Sequence, residues 1–310
     1  MTDSTIDAPL IQRTDPARRR PLPASVSEAR QTLRAVADDI LAIPESALER
    51  PWSWVGGSEE EVRYGPYRVH ELFERAEIEA RRSLAGRADD GGLAADLIAP
   101  AGAARWDLHG LLAPLSTTDL DADPGGGEWT VRRTLGHVIN GQRAYGWATA
   151  WWQAKGYALD SPALPTTAPD EVYVGLPDED GSEMAGTLDV LRSRLDDILD
   201  LSGERLAGLQ QDRLAYATRW SGFAVTVGFR IGRWSSHLRE HTIQVEKTLA
   251  RLGRTPTEPE RLVRLALAAY GRAEAVIFGQ PGAEAAAEIL RAAVAEARDT
   301  IAGARRAAEA

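Results

Sequence analysis

The sequence contains no cysteine and only two methionines, Met1 and Met184. Without a thiol the chain cannot form a disulfide, a cysteine nucleophile, an iron–sulfur cluster or a thiolate metal site. Any metal ion must be bound by imidazole and oxygen. The chain offers five histidines, which are His70, His109, His137, His237 and His241. The positions of these histidines therefore decide which metal chemistry is available.

Acidic residues outnumber basic ones. The chain has 36 Lys and Arg against 46 Asp and Glu, a formal net charge of −10, which argues against nucleic acid or an anionic membrane as partner. Of the 36 basic residues only Lys155 and Lys247 are lysine. Because all the others are arginine, a single arginine is weak evidence of function. No apolar run approaches the roughly 20 residues that span a bilayer, and the N-terminus has no signal-peptide core. We expect a cytoplasmic protein with a small-molecule substrate, and we leave a homodimer open.

Strand patterns are nearly absent, and only short β-branched runs such as 172–174 would fit a strand. Apolar residues recur at helical spacing through most of the 310 residues, which predicts an all-α protein. Proline, glycine and polar stretches, one of them at Arg87–Gly92, set the boundaries. The predicted parts are a mobile tail (1–24), an N-terminal helical segment (25–100), an antiparallel four-helix bundle (101–255) and a C-terminal helical extension (256–310).

Within these parts, the pattern predicts eight helices. They lie at about 26–43, 66–84, 101–114, 128–155, 183–209, 225–252, 259–279 and 282–308. The third is expected to begin only after Pro100, because proline interrupts a helix interior. The glycine run at 125–127 predicts an irregular connector at 117–127. Residues 156–183 carry four prolines and are expected to form either a lid or a disordered loop.

His237 and His241 are four residues apart in a predicted helix. They therefore lie on one face, about 6 Å apart along the axis, where two imidazoles can share one metal ion. A polar stripe on the same face supplies candidate substrate-binding residues, which are Arg230, Arg233, Trp234 and Gln244. The alternative is that this stripe simply faces solvent.

A catalytic metal site normally has three protein ligands and one open position. His137 lies on the other long helix of the bundle and is the candidate third ligand, with Trp151 further along as a pocket wall. Small residues share the face of His137, namely Gly141, Ala144 and Ala148. A tight helix crossing is the alternative explanation for these small residues. His109 is the alternative ligand or a hydrogen-bond donor to one, and His70 is expected to be structural or exposed.

Residues 237–241 also spell the H-x-x-E-H pattern of inverted zinc peptidases, in which Glu240 would be the general base. The large chamber of those enzymes does not fit into this chain. Glu240 is therefore the candidate catalytic residue in a more modest role. It would orient a ligand histidine or accept a proton from a metal-bound group.

Two stretches together resemble a known family. They are Gly127-Glu128-Trp129-Thr130-Val131 followed by Leu135-Gly136-His137, and Trp234-Ser235-Ser236-His237-Leu238-Arg239-Glu240-His241 with Gln244. This pattern is similar to the DinB/YfiT-like superfamily over roughly residues 101–252. The resemblance implies a four-helix bundle in which one histidine of the second helix and an H-x-x-x-H pair of the last helix bind a divalent metal. His137, His237 and His241 match those positions.

Members of this family with assigned activities are thiol S-transferases or thiol-dependent isomerases that use bacillithiol, mycothiol or glutathione. The resemblance therefore implies a metal-dependent transferase or isomerase with zinc or nickel and a low-molecular-weight thiol as cosubstrate. The alanine- and arginine-rich composition is typical of a GC-rich coding sequence, and within this resemblance it would fit mycothiol, the actinobacterial member of that set of thiols. Whether the chain is an enzyme stays open at this point. The alternatives are a non-catalytic helical protein that binds a small molecule or partner, and a metal-dependent hydrolase.

Overall fold

The computed structural model describes residues 5–54, 58–85 and 92–310. These residues are mainly helical, which confirms the all-α class. The α-helices are α1 Ala8–Gln12, α2 Ala24–Leu41, α3 Tyr64–Leu84, α4 Gly92–Leu112, α5 Thr117–Asp121, α6 Val131–Lys155, α7 Leu188–Leu206, α8 Gln211–Leu214, α9 Val227–Arg251, α10 Glu258–Ile277 and α11 Glu284–Glu309. The strands are β1 Pro51–Ser53, β2 Glu59–Glu61, β3 Ala217–Trp220 and β4 Phe223–Thr226. None of the described helices combines the length and the apolarity that crossing a bilayer requires.

Four long helices, α4, α6, α7 and α9, form the first bundle. Helices α4 and α6 each pack against both α7 and α9. Threonine side chains fix where three of these helices begin. Thr130, Thr187 and Thr226 each accept a hydrogen bond from the backbone N–H three residues later, which satisfies a donor that the first helical turn leaves free. Gly156 ends α6 in the left-handed conformation, with φ of 68°.

Four further long helices, α2, α3, α10 and α11, form a second bundle. Helices α2 and α3 each pack against α10 and α11, so the predicted segments 25–100 and 256–310 join in one structure. Its core combines aliphatic side chains with many alanines, including Ala286, Ala287, Ala297 and Ala304 of α11. Small side chains of this kind let helices approach closely.

Helices α4 and α10 join the two bundles along their backbones. A Cβ added to Gly110 would lie 2.8 Å from the Cα of Arg264, and one added to Gly271 would lie 2.5 Å from the Cβ of Trp106. Such distances are too short for any side chain. Glycine is therefore required at both positions for the bundles to pack at this separation.

A buried network of ion pairs crosses the same interface. The Arg105 side chain, fully buried, donates to Glu274 at 2.6 Å and to Asp200 at 2.7 Å. Arg30 of α2 also pairs with both carboxylates. Trp106 Nε1 and the Tyr270 hydroxyl donate to Glu274 at 3.0 and 2.9 Å. The arginines hold the pKa of Glu274 at about 2, although its burial alone would raise it.

Three local predictions differ from the structure. Helix α4 begins at Gly92 and contains Pro100 instead of starting after it; the rest of the Arg87–Gly92 boundary lies outside the described residues. The connector at 117–127 contains α5, which a capping box of Ser116 and Asp119 stabilises. Residues 172–174 form no strand, because Asp170–Val172 is a 3-10 turn.

Residues 5–24, predicted to be a mobile tail, pack against the first bundle. Leu10 is fully buried, and the buried Asp7 carboxylate pairs with Arg143 of α6. The backbone N–H of Arg20 donates to the carbonyl of Glu204 at 2.8 Å. The buried Asp7 carboxylate needs a counter-charge, so its pair with Arg143, together with the burial of Leu10, holds this segment on the bundle.

The proline-rich stretch 156–183 also packs on the bundle, as a lid would. Val172 is fully buried, and Leu164 and Glu183 are 7% and 1% exposed. Glu183 pairs with Arg143 at 2.8 Å. The stretch is therefore not the disordered loop that was one of the two expectations, and through Glu179 it reaches His137 of α6.

Candidate metal centre

Helices α6 and α9 bring three histidines together. His137 projects from α6, and His237 and His241 project from α9. Each offers a ligand nitrogen, and these nitrogens all lie within 4.8 Å of one another. The Nε2 atoms of His237 and His241 are 3.2 Å apart. The helical spacing of four residues is what places the last two rings side by side.

A glycine makes room for the His237 ring. A Cβ on Gly141 of α6 would lie 2.7 Å from Cε1 of His237 and 3.1 Å from its Nε2. The ring therefore rests directly on the α6 backbone. The small residue that the sequence places on the His137 face serves the partner histidine, and it lets α6 and α9 approach at the triad.

Two histidines have an acceptor on their outer nitrogen. Nδ1 of His137 lies 3.0 Å from a carboxylate oxygen of Glu179, and Nδ1 of His241 lies 2.7 Å from the amide oxygen of Gln244. In the neutral rings this places the proton on Nδ1 and leaves a lone pair on Nε2. Metal-binding histidines are commonly oriented in this way by a hydrogen bond from the other nitrogen.

The third ring meets an amide of α6. Nε2 of Gln142 lies 3.2 Å from Nδ1 of His237 and donates to the Trp234 carbonyl at 3.3 Å. The amide oxygen of Gln142 is buried and has no hydrogen-bond partner among the described residues. A proton on Nδ1 of His237 would supply that partner after rotation of the amide. Gln142 is thus placed to serve His237 when its Nε2 is a ligand.

Burial keeps the imidazoles of His237 and His241 neutral at pH 7. It lowers the pKa of His237 to about 3, and the neighbouring His241 and His137 lower it further. Burial also lowers the pKa of His241. A metal ion binds the unprotonated ring, so three converging imidazoles with fixed outer nitrogens fit a divalent metal.

Comparison with known families bears on this bundle. Residues 102–245 match the model of the DinB superfamily. Over these residues the first bundle is similar to that superfamily. The matched stretch includes His137, His237 and His241. Comparisons with the curated proteins and with the solved structures found no match.

Beside the triad, helix α9 of the first bundle carries an ion pair. Arg233 donates to both carboxylate oxygens of Glu240, at 3.0 and 3.3 Å. The Arg233 guanidinium lies 4.9 Å from the centre of the Trp220 ring on β3. The Glu240 side chain is 54% exposed, so it borders the site from the solvent side.

Arg230 lies two turns before His237 on the same face of α9. It is 6% exposed, and its guanidinium lies 5.8 and 5.9 Å from the rings of Tyr145 and Trp220. It donates to the Arg219 carbonyl at 2.9 Å, but no carboxylate pairs with it among the described residues. Burial therefore lowers its pKa, and the positive charge is uncompensated by the part of the chain that the structure describes.

The two tryptophans expected near the site have different surroundings. Trp234 is 1% exposed and lies in the core of the first bundle. Trp151 lies fourteen residues beyond His137 on α6, a distance of about 21 Å along the helix. Its indole N–H donates to Glu171 at 3.1 Å. Trp151 therefore anchors the stretch 156–183 and does not border the three histidines.

The remaining histidines are elsewhere. His109 is buried, with Nε2 at 2.8 Å from Asp196 and Nδ1 accepting from Arg192 at 3.3 Å. It extends the buried ion-pair network instead of joining the triad. His70 of α3 pairs with Glu74 at 3.4 Å.

Sequence reasoning missed several neighbours of the triad. Glu179, Gln142 and Tyr145 were not singled out, although the ring of Tyr145 lies 5.1 Å from that of His237. The ring of Trp129 lies 5.2 Å from that of His137. The glycine at position 136, next to His137, was a sequence signal that could have pointed to a neighbour packed closely on α6. A Cβ there would meet Met184 and the Glu179 carbonyl, so this glycine marks where the 156–183 stretch and its neighbours press on α6.

Proposed function

We propose that this protein is a metal-dependent transferase that joins a low-molecular-weight thiol, such as mycothiol, to an electrophilic small molecule. The observation that carries the proposal is the ligand set. Three neutral imidazoles leave the charge of a divalent ion uncompensated, unlike a set that includes carboxylates. Nitrogen ligands in this number suit zinc or nickel.

The bound metal would lower the pKa of a coordinated thiol, so that the thiolate exists at neutral pH. The reacting sulfur belongs to the cosubstrate, because the chain has no cysteine. In the transfer, a sulfur lone pair forms the new S–C bond and the leaving group departs with its bonding electrons. An isomerase would form the same S–C bond by addition, with no leaving group, and would then eliminate the thiol again.

The residues around the triad have separate roles in this proposal. Glu179 and Gln244 hold the His137 and His241 rings through Nδ1. Glu240, fixed by Arg233, accepts the thiol proton and passes it to solvent. Arg230 faces the site with an unpaired positive charge and receives a carboxylate of the cosubstrate or the acceptor. Trp220 and Tyr145 form the aromatic wall between that arginine and the triad.

Metal analysis is the first test. The purified protein should hold about one divalent ion per chain, and H137A, H237A and H241A should each lose it. H70A is the matched control, since His70 is a histidine on α3 that only pairs with Glu74. Full metal content in H237A would overturn the three-histidine site.

The second test measures conjugation of mycothiol to 1-chloro-2,4-dinitrobenzene, with bacillithiol and glutathione in parallel. We expect turnover that requires both the thiol and the metal, and that E240Q reduces by at least about a hundredfold, the lower end of the usual contribution of a general acid–base group. Turnover without added thiol would instead identify a metal-dependent hydrolase. No turnover with the metal-loaded protein and any thiol would identify a binding protein.

A further inference from the structure

A second polar site lies at the far end of α6 from the histidines. A cavity of about 230 Å³ opens between the N-terminal segment, the ends of α6 and α7, and α8. Its polar lining consists of Arg13, Asp15, Arg18, Gln153, Arg205 and Arg213. Gln153 lies sixteen residues beyond His137 on α6, about 24 Å along the helix. The cavity is therefore separate from the metal centre.

The four arginines of this cavity are not balanced by the carboxylates around it. Arg18 pairs weakly with Asp15 at 3.8 Å, and Arg205 shares Glu204 with Arg19. Arg13 and Arg213 form no ion pair with any described residue. This surplus of positive charge is unusual in a chain with a net charge of −10.

One of the guanidinium groups also carries a buried donor that lacks an acceptor. NH1 of Arg13 is shielded from solvent and has no hydrogen-bond partner within the described residues. Nε of the Arg205 side chain, which is 11% exposed, is met only by the Glu204 carboxylate at 3.3 Å. A buried donor without an acceptor costs free energy, and an anion in the cavity would supply an acceptor to Arg13.

Hydrogen bonds hold the walls of the cavity in place. The Gln153 amide donates to the Arg13 carbonyl at 2.7 Å and accepts from NH1 of Arg213 at 3.1 Å. The Arg18 carbonyl sits against Gly208, where a Cβ would lie 2.2 Å from that oxygen. The arginine side chains therefore project from a backbone that is fixed on both sides of the cavity.

From these observations we propose that the cavity binds a phosphate-type dianion, either free phosphate or the phosphate group of a small phosphomonoester. Planar guanidinium groups donate in pairs to phosphate oxygens. Two unpaired arginines match the two negative charges of the ligand. The cavity volume suits a phosphate group with at most a few further atoms. Bound phosphate would link the N-terminal segment to α7 and α8.

Calorimetric titration of the full chain with inorganic phosphate tests this, at constant ionic strength maintained with sodium chloride. We expect saturable binding at one site per chain. O-phosphoserine, with serine as its uncharged-head control, distinguishes the two sources. Tighter binding of O-phosphoserine than of phosphate indicates a phosphomonoester, and equal or weaker binding indicates the free ion; serine should not bind.

R13Q and R213Q should each weaken phosphate binding by at least about tenfold, because each removes a charged donor. R298Q is the matched control, since Arg298 is an exposed arginine paired with the neighbouring Asp299. Thermal melts establish that each variant is folded before titration. H237A should bind phosphate as the unaltered chain does. Absence of saturable phosphate binding, or equal binding by R13Q, R213Q and the unaltered chain, would overturn the proposal.

Discussion

The histidine triad and the ion-pair network around Glu274 are both polar clusters between packed helices, and they are partnered differently. In the network, both oxygens of Glu274 accept hydrogen bonds from arginine, and Trp106 and Tyr270 donate as well. In the triad, partners meet the outer Nδ1 atoms, and two Nε2 atoms face each other at 3.2 Å. A cluster whose central carboxylate is fully paired holds helices together, whereas one with converging lone pairs needs a ligand. The comparison predicts that the first sets stability and the second sets metal binding.

The largest effect is expected from breaking the network. E274Q would leave Arg30 and Arg105 without one of their carboxylates, and removal of one partner from a buried pair costs about 3–5 kcal/mol. We expect that loss in the free energy of unfolding, measured with urea, and unchanged metal content in the folded fraction. D299N is the control, because the exposed Arg298–Asp299 pair is worth at most about 1 kcal/mol. Equal losses in the two variants would contradict the comparison.

Acid should weaken the network next. The pKa of Glu274 is lowered from 4.5 to about 2 by Arg30 and Arg105 against the effect of burial. Its carboxylate therefore contributes stability above pH 4.5, and this contribution is lost as the pH falls towards about 2. The shift corresponds to roughly 3 kcal/mol. Urea unfolding at pH values from 6 to 3 should show a steeper loss in the unaltered chain than in E274Q. Parallel pH profiles would count against this assignment.

The triad should respond to the loss of an outer partner in metal affinity instead. E179A removes the carboxylate that holds His137, and such changes typically cost 10–100-fold in affinity. Competition with a chromophoric chelator measures that affinity. E171A is the control on the same lid stretch, because Glu171 accepts from Trp151 far from the triad. Similar affinities of E179A and E171A would show that Glu179 does not position the ligand.

The smallest effect is expected from a single methyl group. G141A places a Cβ 2.7 Å from the His237 ring, so the ring must shift, and metal affinity should fall by about tenfold, or 1.4 kcal/mol. G232A is the control on α9, where the nearest described atom to an added Cβ is 4.0 Å away. Since alanine favours a helix over glycine, G232A should keep full affinity and gain up to about 1 kcal/mol of stability. An unchanged metal affinity of G141A would show that the His237 ring can move away from the added methyl group without loss of metal binding.

Sequence periodicity predicted most of the helices, because each buries one face at a 3.6-residue repeat. It also brought His137, His237 and His241 to one place, since residues four apart share a face and a bundle joins its long helices. The predicted beginnings of α6 and α9 lie within a few residues of the observed ones, where a threonine caps each helix. These features depend on neighbours in the sequence, so the sequence contains them.

Features that depend on distant residues were not predictable in this way. Glu179 reaches His137 from an irregular stretch that has no period to interpret, and the hairpin β3–β4 has strands of only four residues. Its turn at Ser221 and Gly222, with φ of 47° and 85°, was the one local signal. Order in residues 5–24 depends on Asp7 meeting Arg143, 136 positions away. Pro100 was misleading because packing of α4 on α9 and α10 outweighs the loss of one hydrogen bond.

Along the chain, α2 and α3 precede the helices of the first bundle, and α10 and α11 follow them. The second bundle is therefore built from segments that are far apart in the sequence. During synthesis, α3 must therefore wait while the ribosome adds the residues from 85 to 258, roughly 170 of them, before α10 begins. At about 5–20 residues per second this interval lasts about 9–35 s. The apolar faces of α2 and α3 are uncovered throughout it, while the metal-binding bundle can already close. Chaperones that shield such faces, and crowding between nascent chains, would consequently act on the N-terminal helices more than on the bundle that carries the histidine triad.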